Sequence, residues 1–322
     1  MKVTEVVAGV LSDARGRVLL TRRTVNRDFA GLWEFPGGKR EPGEGADEAL
    51  ARELHEELGI TATVGAPLIT VPQAYPGKRL RLDVRRIARW QGVPRGREGQ
   101  ALAWVPLHKL HTYAMPPADI PVVAALHQPD RYLVTPLPAD DGDPARADAA
   151  WLASLDASLD AGIARVQLRL PGLEPARVRT LAGAAFDRCR RTGAEMLVNG
   201  DAQLARELGA GLHLRAAQLA ALGERPVLAE GAALAASCHD ADELQHAARL
   251  ACDFCLVGPV MATATHPGQA GIGWTRFSEL REGVALPMYA IGGMGEEDIT
   301  VARRHGGQGV AAIRGLWTYL SR

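Results

Sequence analysis

Lysine is scarce in this 322-residue chain and unevenly placed: Lys2, Lys39, Lys78 and Lys109 are all there is. The second half therefore cannot run Schiff-base chemistry and has only arginine and histidine to meet an anion. A charge excess is missing too, since 37 basic residues balance 37 acidic ones. Proteins that work on polyanionic nucleic acid usually carry a basic excess, so no nucleic-acid partner is expected. No run approaches the ~20 apolar residues that span a bilayer, so no membrane partner is expected either. The opening MKVTEVVAGVL alternates like a first strand and lacks the layout of a signal peptide, which points to a cytoplasmic protein. Cysteines number only 4, too few for a disulfide framework. Cys252 and Cys255 form a CxxC pair, but no second pair matches it for zinc, and it leads into the apolar FCLVGPV. Both read as small core residues.

What is present is ordinary globular composition, 47% hydrophobic and 23% charged, over a length that accommodates two cores. Up to about residue 128 the chain holds short alternating strands, a glycine-rich loop and two helical stretches. The segments VVAGVLSD and RVLLTRR read as a first hairpin turning at Asp13 to Gly16. A helix is predicted from about Asp47 to Leu58, stopped by Gly59. Strands follow near Arg81–Trp90 and Ala101–Val105, and Pro121 opens a last short helix. From 129 to 322 the pattern changes. YLVTP, RVQLRL, EMLVNG, GLHLR, LAASC, FCLVGPV, MYAIGG and GVAAIRG alternate with alanine-rich helical stretches. Such alternation predicts parallel βα units closing into a (β/α)8 TIM barrel. The polar ADDGDPARADA reads as a βα loop.

The first domain carries the strongest pattern. Gly38 is followed after five residues by Glu44, and after seven more by Arg52-Glu53-Leu54-His55-Glu56-Glu57-Leu58-Gly59-Ile60. Seven positions fixed as Gly, Glu or Arg arise by chance at roughly 10⁻⁸ per starting point. Glu53, Glu56 and Glu57 fall at i, i+3 and i+4, on one helical face. Leu50, Leu54 and Leu58 form another stripe that anchors the helix. Adjacent carboxylates repel unless a cation lies among them, and hard oxygen donors suit Mg²⁺ or Mn²⁺. The bland alternative is a solvated acidic face beside Arg52. Gly37-Gly38 argues against it, since glycines let backbone approach a metal and phosphates closely.

This segment resembles a complete Nudix box. The resemblance implies an α/β/α sandwich with a mixed sheet, and hydrolysis of a nucleoside diphosphate linked to another group. It implies that Gly38, Glu53, Glu56 and Glu57 hold metal, that Glu53 is a candidate base, and that Glu44 and Arg52 orient helix and loop. LLTRR (19–23), LWEFPGGK (32–39), WQGVPRGREGQ (90–100) and MPPADIPVVAAL (115–126) are similar to the MutT branch, the 8-oxo-dGTP diphosphatases. That branch implies Glu98 as a further metal ligand or base, Arg23 and Lys39 as substrate contacts, and Phe35 at the base pocket. It has asparagine where this chain has Asp119. An ionised carboxylate only accepts hydrogen bonds. It could take the N7–H of 8-oxoguanine, or N1–H and the 2-amino group, or stand protonated in an apolar pocket. A helix cap is the structural alternative.

The second half resembles the thiamine phosphate synthase/TenI superfamily, through YLVTP, VQLR (166–169), LVNGD (197–201), GLHL (211–214), SCHDADEL (237–244), LVGPVMATATHPG (256–268) and AIGGM (290–294). It departs where that chemistry needs metal and diphosphate groups. Gly200 and Gln218 stand where the resemblance implies aspartates, with Asp201 adjacent, and Pro171 and His266 stand where it implies lysines. Synthase activity is therefore not expected. Gly292, Gly293 and Arg314 follow the seventh and eighth strands, where barrels commonly bind phosphate. With Arg169 and His239 they are candidates for holding a thiamine-related phosphate, and His213 lies near them in motif order.

The resemblance implies a nucleoside triphosphate substrate. The leading expectation is conversion of 8-oxo-dGTP to 8-oxo-dGMP and pyrophosphate, which sanitises the nucleotide pool and serves DNA repair. One alternative is hydrolysis of thiamine-pathway diphosphates such as aminopyrimidine diphosphate. Another is a barrel that acts as a non-catalytic phosphate sensor regulating the hydrolase.

Overall fold

The computed structural model describes residues 3–25, 28–140, 142–263 and 270–319. His266 lies outside the described residues. Two compact units emerge, one built on the chain up to Gln128 and counting Arg281–Ala285 and Arg303–Gly306, the other from Pro129 onward.

The first unit runs β1 (Val3–Val10), β2 (Arg17–Arg22), β3 (Trp33–Glu34), β4 (Gly37–Lys39), α1 (Ala46–Leu58), β5 (Thr61–Tyr75), β6 (Lys78–Gln91), β7 (Leu102–Pro106) and α2 (Ile120–Leu126). One sheet has the order β4-β1-β6-β5 and is mixed, β1 lying parallel to β6 and antiparallel to β4; a second has the order β3-β2-β7. The expected first hairpin is therefore corrected. The turn at Asp13 to Gly16 does form, with Asp13 N donating to Arg17 O at 2.9 Å, but beyond it the segments meet at the Ser12–Val18 bridge and the Leu19 N to Leu11 O bond and then part into different sheets. The reason is that both faces of each strand are apolar. Ala8, Val10, Val18 and Leu20 join one core with α2, while Val7, Leu11 and Leu19 join another with α1. A flat two-stranded ribbon would bury only one face.

Helix α1 forms as its periodicity predicts. Leu50, Leu54 and Leu58 are fully buried, each stabilising by about 1.5–3 kcal/mol. Gly59 ends the helix with φ 71°, its N–H donating to His55 O. The apolar stripe thus fixes which way the acidic stripe faces.

The second unit runs β8 (Arg131–Val134), α3 (Pro144–Asp160), β9 (Arg165–Leu168), α4 (Pro175–Thr192), β10 (Glu195–Asn199), α5 (Ala202–Leu208), β11 (Gly211–Leu214), α6 (Ala216–Ala221), β12 (Leu234–Cys238), α7 (Ala241–Arg249), β13 (Phe254–Val257), α8 (Gly273–Arg281), β14 (Met288–Ile291), α9 (Ile299–Arg304) and β15 (Gly309–Ala312). Its strands close in the order β10-β11-β12-β13-β14-β15-β8-β9, every pairing parallel. All eight apolar runs of the sequence supply a strand of this barrel. ADDGDPARADA is only partly loop: Asp143 caps α3, accepting from Arg146 N at 3.1 Å, and Pro144 opens the helix. All four cysteines are buried and free, and burial raises the Cys252 thiol to about 12. No helix among the described residues is long and apolar enough to cross a membrane.

Candidate active site

Three segments of the first unit meet at the acidic face of α1. Strand β4 contributes Gly37, which needs to be glycine, and Gly38, whose lack of a Cβ leaves room for the Glu53 carboxylate. A Cβ on Gly37 would stand 2.1 Å from Val7 O, and one on Gly38 only 2.2 Å from Glu53 Oε2. The Glu53 carboxylate thus lies flat against bare backbone.

Arg52 organises the acids. Its Nε and one amino group grip Glu44 bidentately at 2.9 and 3.0 Å, and the latter also donates to Lys39 O at 3.1 Å. Its other amino group donates to Glu53 at 3.0 Å and Glu56 at 3.1 Å. The Arg52 bond holds the Glu44 carboxyl down at about 2, aided by Glu41 N–H, and the acids in turn raise the guanidinium's pKa. The cation expected among the carboxylates is thus supplied in part by Arg52 itself. Glu56 is largely exposed, whereas Glu57 is buried.

A shallow, open cleft is lined by Thr21, Arg22, Arg23, Thr24, Glu34, Glu57, Glu98 and Gln100. Arg23, Glu57 and Glu98, far apart in sequence, are brought together here. Among the described residues no three His, Cys, Asp or Glu side chains converge on one point. The chemistry of the donor set nevertheless fits a hard divalent ion: carboxylates of Glu53, Glu56, Glu57 and Glu98, with glycine backbone bared beside Glu53.

Asp119 does not cap α2. Its carboxylate Oδ1 accepts from Phe35 N at 3.1 Å, across 84 residues. Only 6% of Asp119 is exposed. Burial foremost, then Glu34, raises its carboxyl to about 7, against the opposing pull of the Phe35 N–H and Arg23. The Phe35 side chain itself packs in the core, so what it presents to Asp119 is its amide. Lys39 is exposed.

Three further residues join these, none of them a candidate from the sequence pattern. Glu34 pairs with Arg23, Tyr75 hydrogen-bonds the Ala118 backbone beside Asp119, and Gln100 bridges Glu57 and Glu98. Glu34 lies inside LWEFPGGK and Gln100 inside WQGVPRGREGQ, the sequence signal that marks them. Tyr75 ends a strand that carried none.

In the barrel, the positions where metal aspartates were implied do not fit a metal. Gln218 Oε1 accepts from Arg215 N at 3.2 Å and Arg215 Nε at 3.1 Å, and its amide donates to Gly200 O at 2.7 Å. Asp201 caps α5, accepting from Leu204 N at 2.9 Å. Gly292 and Gly293 follow β14 with φ 106° and 68°, Arg314 is exposed just past β15, and Arg169 N donates to Thr135 Oγ1 at 3.0 Å. Glu243 accepts from the backbone N–H of His239 and pairs with its ring at 3.0 Å. His213 is buried, hydrogen-bonded to Tyr132 OH at 3.2 Å and Ser237 Oγ at 2.9 Å. Burial lowers its pKa to about 3, so it is neutral.

Comparison with known proteins matches each unit separately. Residues 7–125 match the NUDIX domain and residues 132–316 the thiamine monophosphate synthase family. A CTP pyrophosphohydrolase of Escherichia coli (strain K12) is 42% identical over 125 residues, which cover 39% of this chain and 92% of the relative. An 8-oxo-dGTP diphosphatase of the same strain is 36% identical over 126 residues, 39% of this chain and 98% of the relative. The 8-oxo-dGTP diphosphatase of Haemophilus influenzae is 38% identical over 125 residues, 39% and 92% respectively. The chain therefore belongs to two families in one polypeptide, a Nudix hydrolase acting on phosphoric anhydrides followed by a member of the thiamine monophosphate synthase family.

Proposed function

We propose that residues 1–128 form an Mg²⁺-dependent hydrolase that cleaves oxidised purine nucleoside triphosphates between the α- and β-phosphates, converting 8-oxo-dGTP to 8-oxo-dGMP and pyrophosphate. The observation that carries this reading is the match to 8-oxo-dGTP diphosphatases over nearly their whole length, with which Asp119 is compatible: a buried carboxyl, raised to about 7 and held by the Phe35 amide. Protonated, it offers one acceptor and one donor. The acceptor takes the N7–H of 8-oxoguanine and the donor reaches O6, so the acid does what an asparagine amide would do.

Glu53, Glu56, Glu57, Glu98 and the Gly38 backbone would hold the metal, with Mn²⁺ as a substitute. When bound, the ion supplies charge neutralisation for the phosphate oxygens. Glu53, steadied by Arg52, accepts the proton of the attacking water. The new P–O bond forms as the bridging P–O bond breaks, and pyrophosphate leaves. Arg23 meets phosphate from the cleft wall, and Lys39 lies beside the glycine turn.

A second reading rests on the 42% identity to a CTP pyrophosphohydrolase. A protonated Asp119 also matches cytosine, accepting from the 4-amino group and donating to N3. An aminopyrimidine diphosphate shows the same edge, and the barrel's family gives that substrate an argument of its own. Residues 129–322 are read as a barrel without synthase activity. Its strand ends, with Gly292, Gly293, Arg314, Arg169 and His239, are candidates for a phosphorylated ligand that regulates the hydrolase.

The test is kcat/KM with Mg²⁺ for 8-oxo-dGTP, dGTP, CTP and aminopyrimidine diphosphate, counting pyrophosphate and orthophosphate. A preference for 8-oxo-dGTP over dGTP and CTP supports the purine reading. A preference for CTP or the aminopyrimidine replaces it.

A further inference from the structure

Residues 92–101, between β6 and β7, carry Glu98 and dock on the end of α1. The last turn of a helix leaves carbonyls with no intrahelical donor. Here Leu58 O accepts from Arg95 N at 3.0 Å and Glu57 O from Arg97 N at 2.9 Å. His55 O receives the Arg97 guanidinium at 3.3 Å, a cation at the negative end of the helix dipole. Glu57 O accepts a second time, from Gln100 Nε2 at 3.1 Å. At its other end, Gln100 Oε1 accepts from Glu98 N at 2.8 Å. One side chain therefore ties the peptide of Glu98 to the peptide of Glu57. The turn that lets it do so needs glycine: a Cβ on Gly96 would stand 2.1 Å from Gln100 O, and Gly99 has φ +77°.

We propose that Gln100 is a positioning residue for hydrolysis, setting the Glu98 carboxylate against the α1 acids by clamping its loop to the helix end. The inference rests on the reading of Glu98 as part of the hydrolytic centre. Both Glu57 and Glu98 line the cleft that Gln100 also borders, so a shift of the loop changes the spacing of the acids directly. The side chain must give one acceptor to Glu98 N–H and one donor to Glu57 C=O, which only an amide of this reach supplies. Glutamate at 100 has no donor for Glu57 O and adds charge between two acids. Leucine supplies neither bond. Loss of such orienting partners typically costs on the order of 10–100-fold in activity or metal affinity.

The experiment uses the full-length protein with Mg²⁺ and its fastest nucleoside triphosphate among 8-oxo-dGTP, dGTP and CTP. Gln100→Leu, Gln100→Glu, Glu98→Gln and the Glu98→Gln/Gln100→Leu double variant are compared after circular dichroism and melting confirm folding. Gln100→Glu, nearly isosteric, serves if the leucine variant does not fold. The expected result is a kcat loss of about 10–100-fold in both Gln100 variants, with nucleotide KM within about twofold and a raised half-saturating Mg²⁺ concentration. In the Glu98→Gln background, Gln100→Leu should cost less than about twofold, because it acts through Glu98. Wild-type kcat in a Gln100 variant while Glu98→Gln is impaired overturns the inference, as does an undiminished Gln100→Leu cost in the double variant. Wild-type turnover by Glu98→Gln overturns the Glu98 assignment and the clamp with it.

Discussion

Replacing Asp119 by asparagine isolates what its burial does to the protein. The ordinary carboxyl value of 3.8 rises to about 7 in the folded state. That difference corresponds to about 4 kcal/mol, an upper figure, at 1.36 kcal/mol per tenfold change. Because the folded chain keeps this proton to higher pH, ionisation favours the unfolded chain between about pH 4 and 7. The penalty is absent below about pH 4, grows as pH rises toward 7, and is constant above it. Asparagine cannot ionise, and its carbonyl still accepts the Phe35 N–H. Its new N–H₂ must find partners, at a cost of about 1–2 kcal/mol. The variant should therefore be more stable than wild type by about 2–3 kcal/mol at pH 8, a melting shift on the order of 5–10 °C. The advantage should vanish or reverse at pH 4. Melting of the full-length pair at pH 4, 6 and 8, with Asp119→Leu as the variant that strands the Phe35 amide, makes the comparison. An Asn-minus-wild-type difference that does not change with pH would refute the reasoning.

Glu53→Gln should abolish hydrolysis without unfolding, since the amide oxygen can still accept from Arg52; full turnover by the folded variant, followed as pyrophosphate release, would sink its assignment as base. Arg52→Lys loses the two-point grip on Glu44, whose depressed carboxyl pKa contributes stability above the ordinary 4.5 that is lost as pH falls toward about 2. The variant's melting deficit should accordingly be present at pH 7 and shrink in acid, as a pH series of melting curves would show. Chelation should stop hydrolysis, with Mg²⁺ or Mn²⁺ restoring it; activity that survives exhaustive chelation would exclude a role for the acidic face in holding metal. In the barrel, Arg165→Met should destabilise by about 2–3 kcal/mol, below the range for a fully buried pair because Glu195 is partly exposed. Arg165 bonds Glu195 at 2.6 Å and Tyr289 OH at 2.8 Å and sits 4.0 Å over the Phe254 ring; denaturant titration of the barrel transition tests it.

Much of this architecture could be read from residue order because the interactions behind it are short-ranged. Three glutamates at i, i+3 and i+4 share a face in any helix, and the leucines that bury the opposite face are set by the same period. Eight apolar runs separated by helical stretches have one economical closure, a parallel barrel. The linear order of residues could not reveal which partner a polar group finds across the fold. The chain leaves β1 and enters β2 in a different sheet because both faces of each strand must be buried. Asp119 stands at a helix start, where a local rule makes it a cap, yet tertiary packing brings the Phe35 amide 3.1 Å away and draws the carboxyl into the core instead. Gln100 looks like a loop residue until the end of α1 arrives with its unsatisfied carbonyls. Periodicity, a property of neighbours, thus determined the elements and the acidic face. Burial and hydrogen bonding between distant segments decided the raised proton affinity of Asp119 and the seat of Glu98, since both depend on groups that only folding brings together.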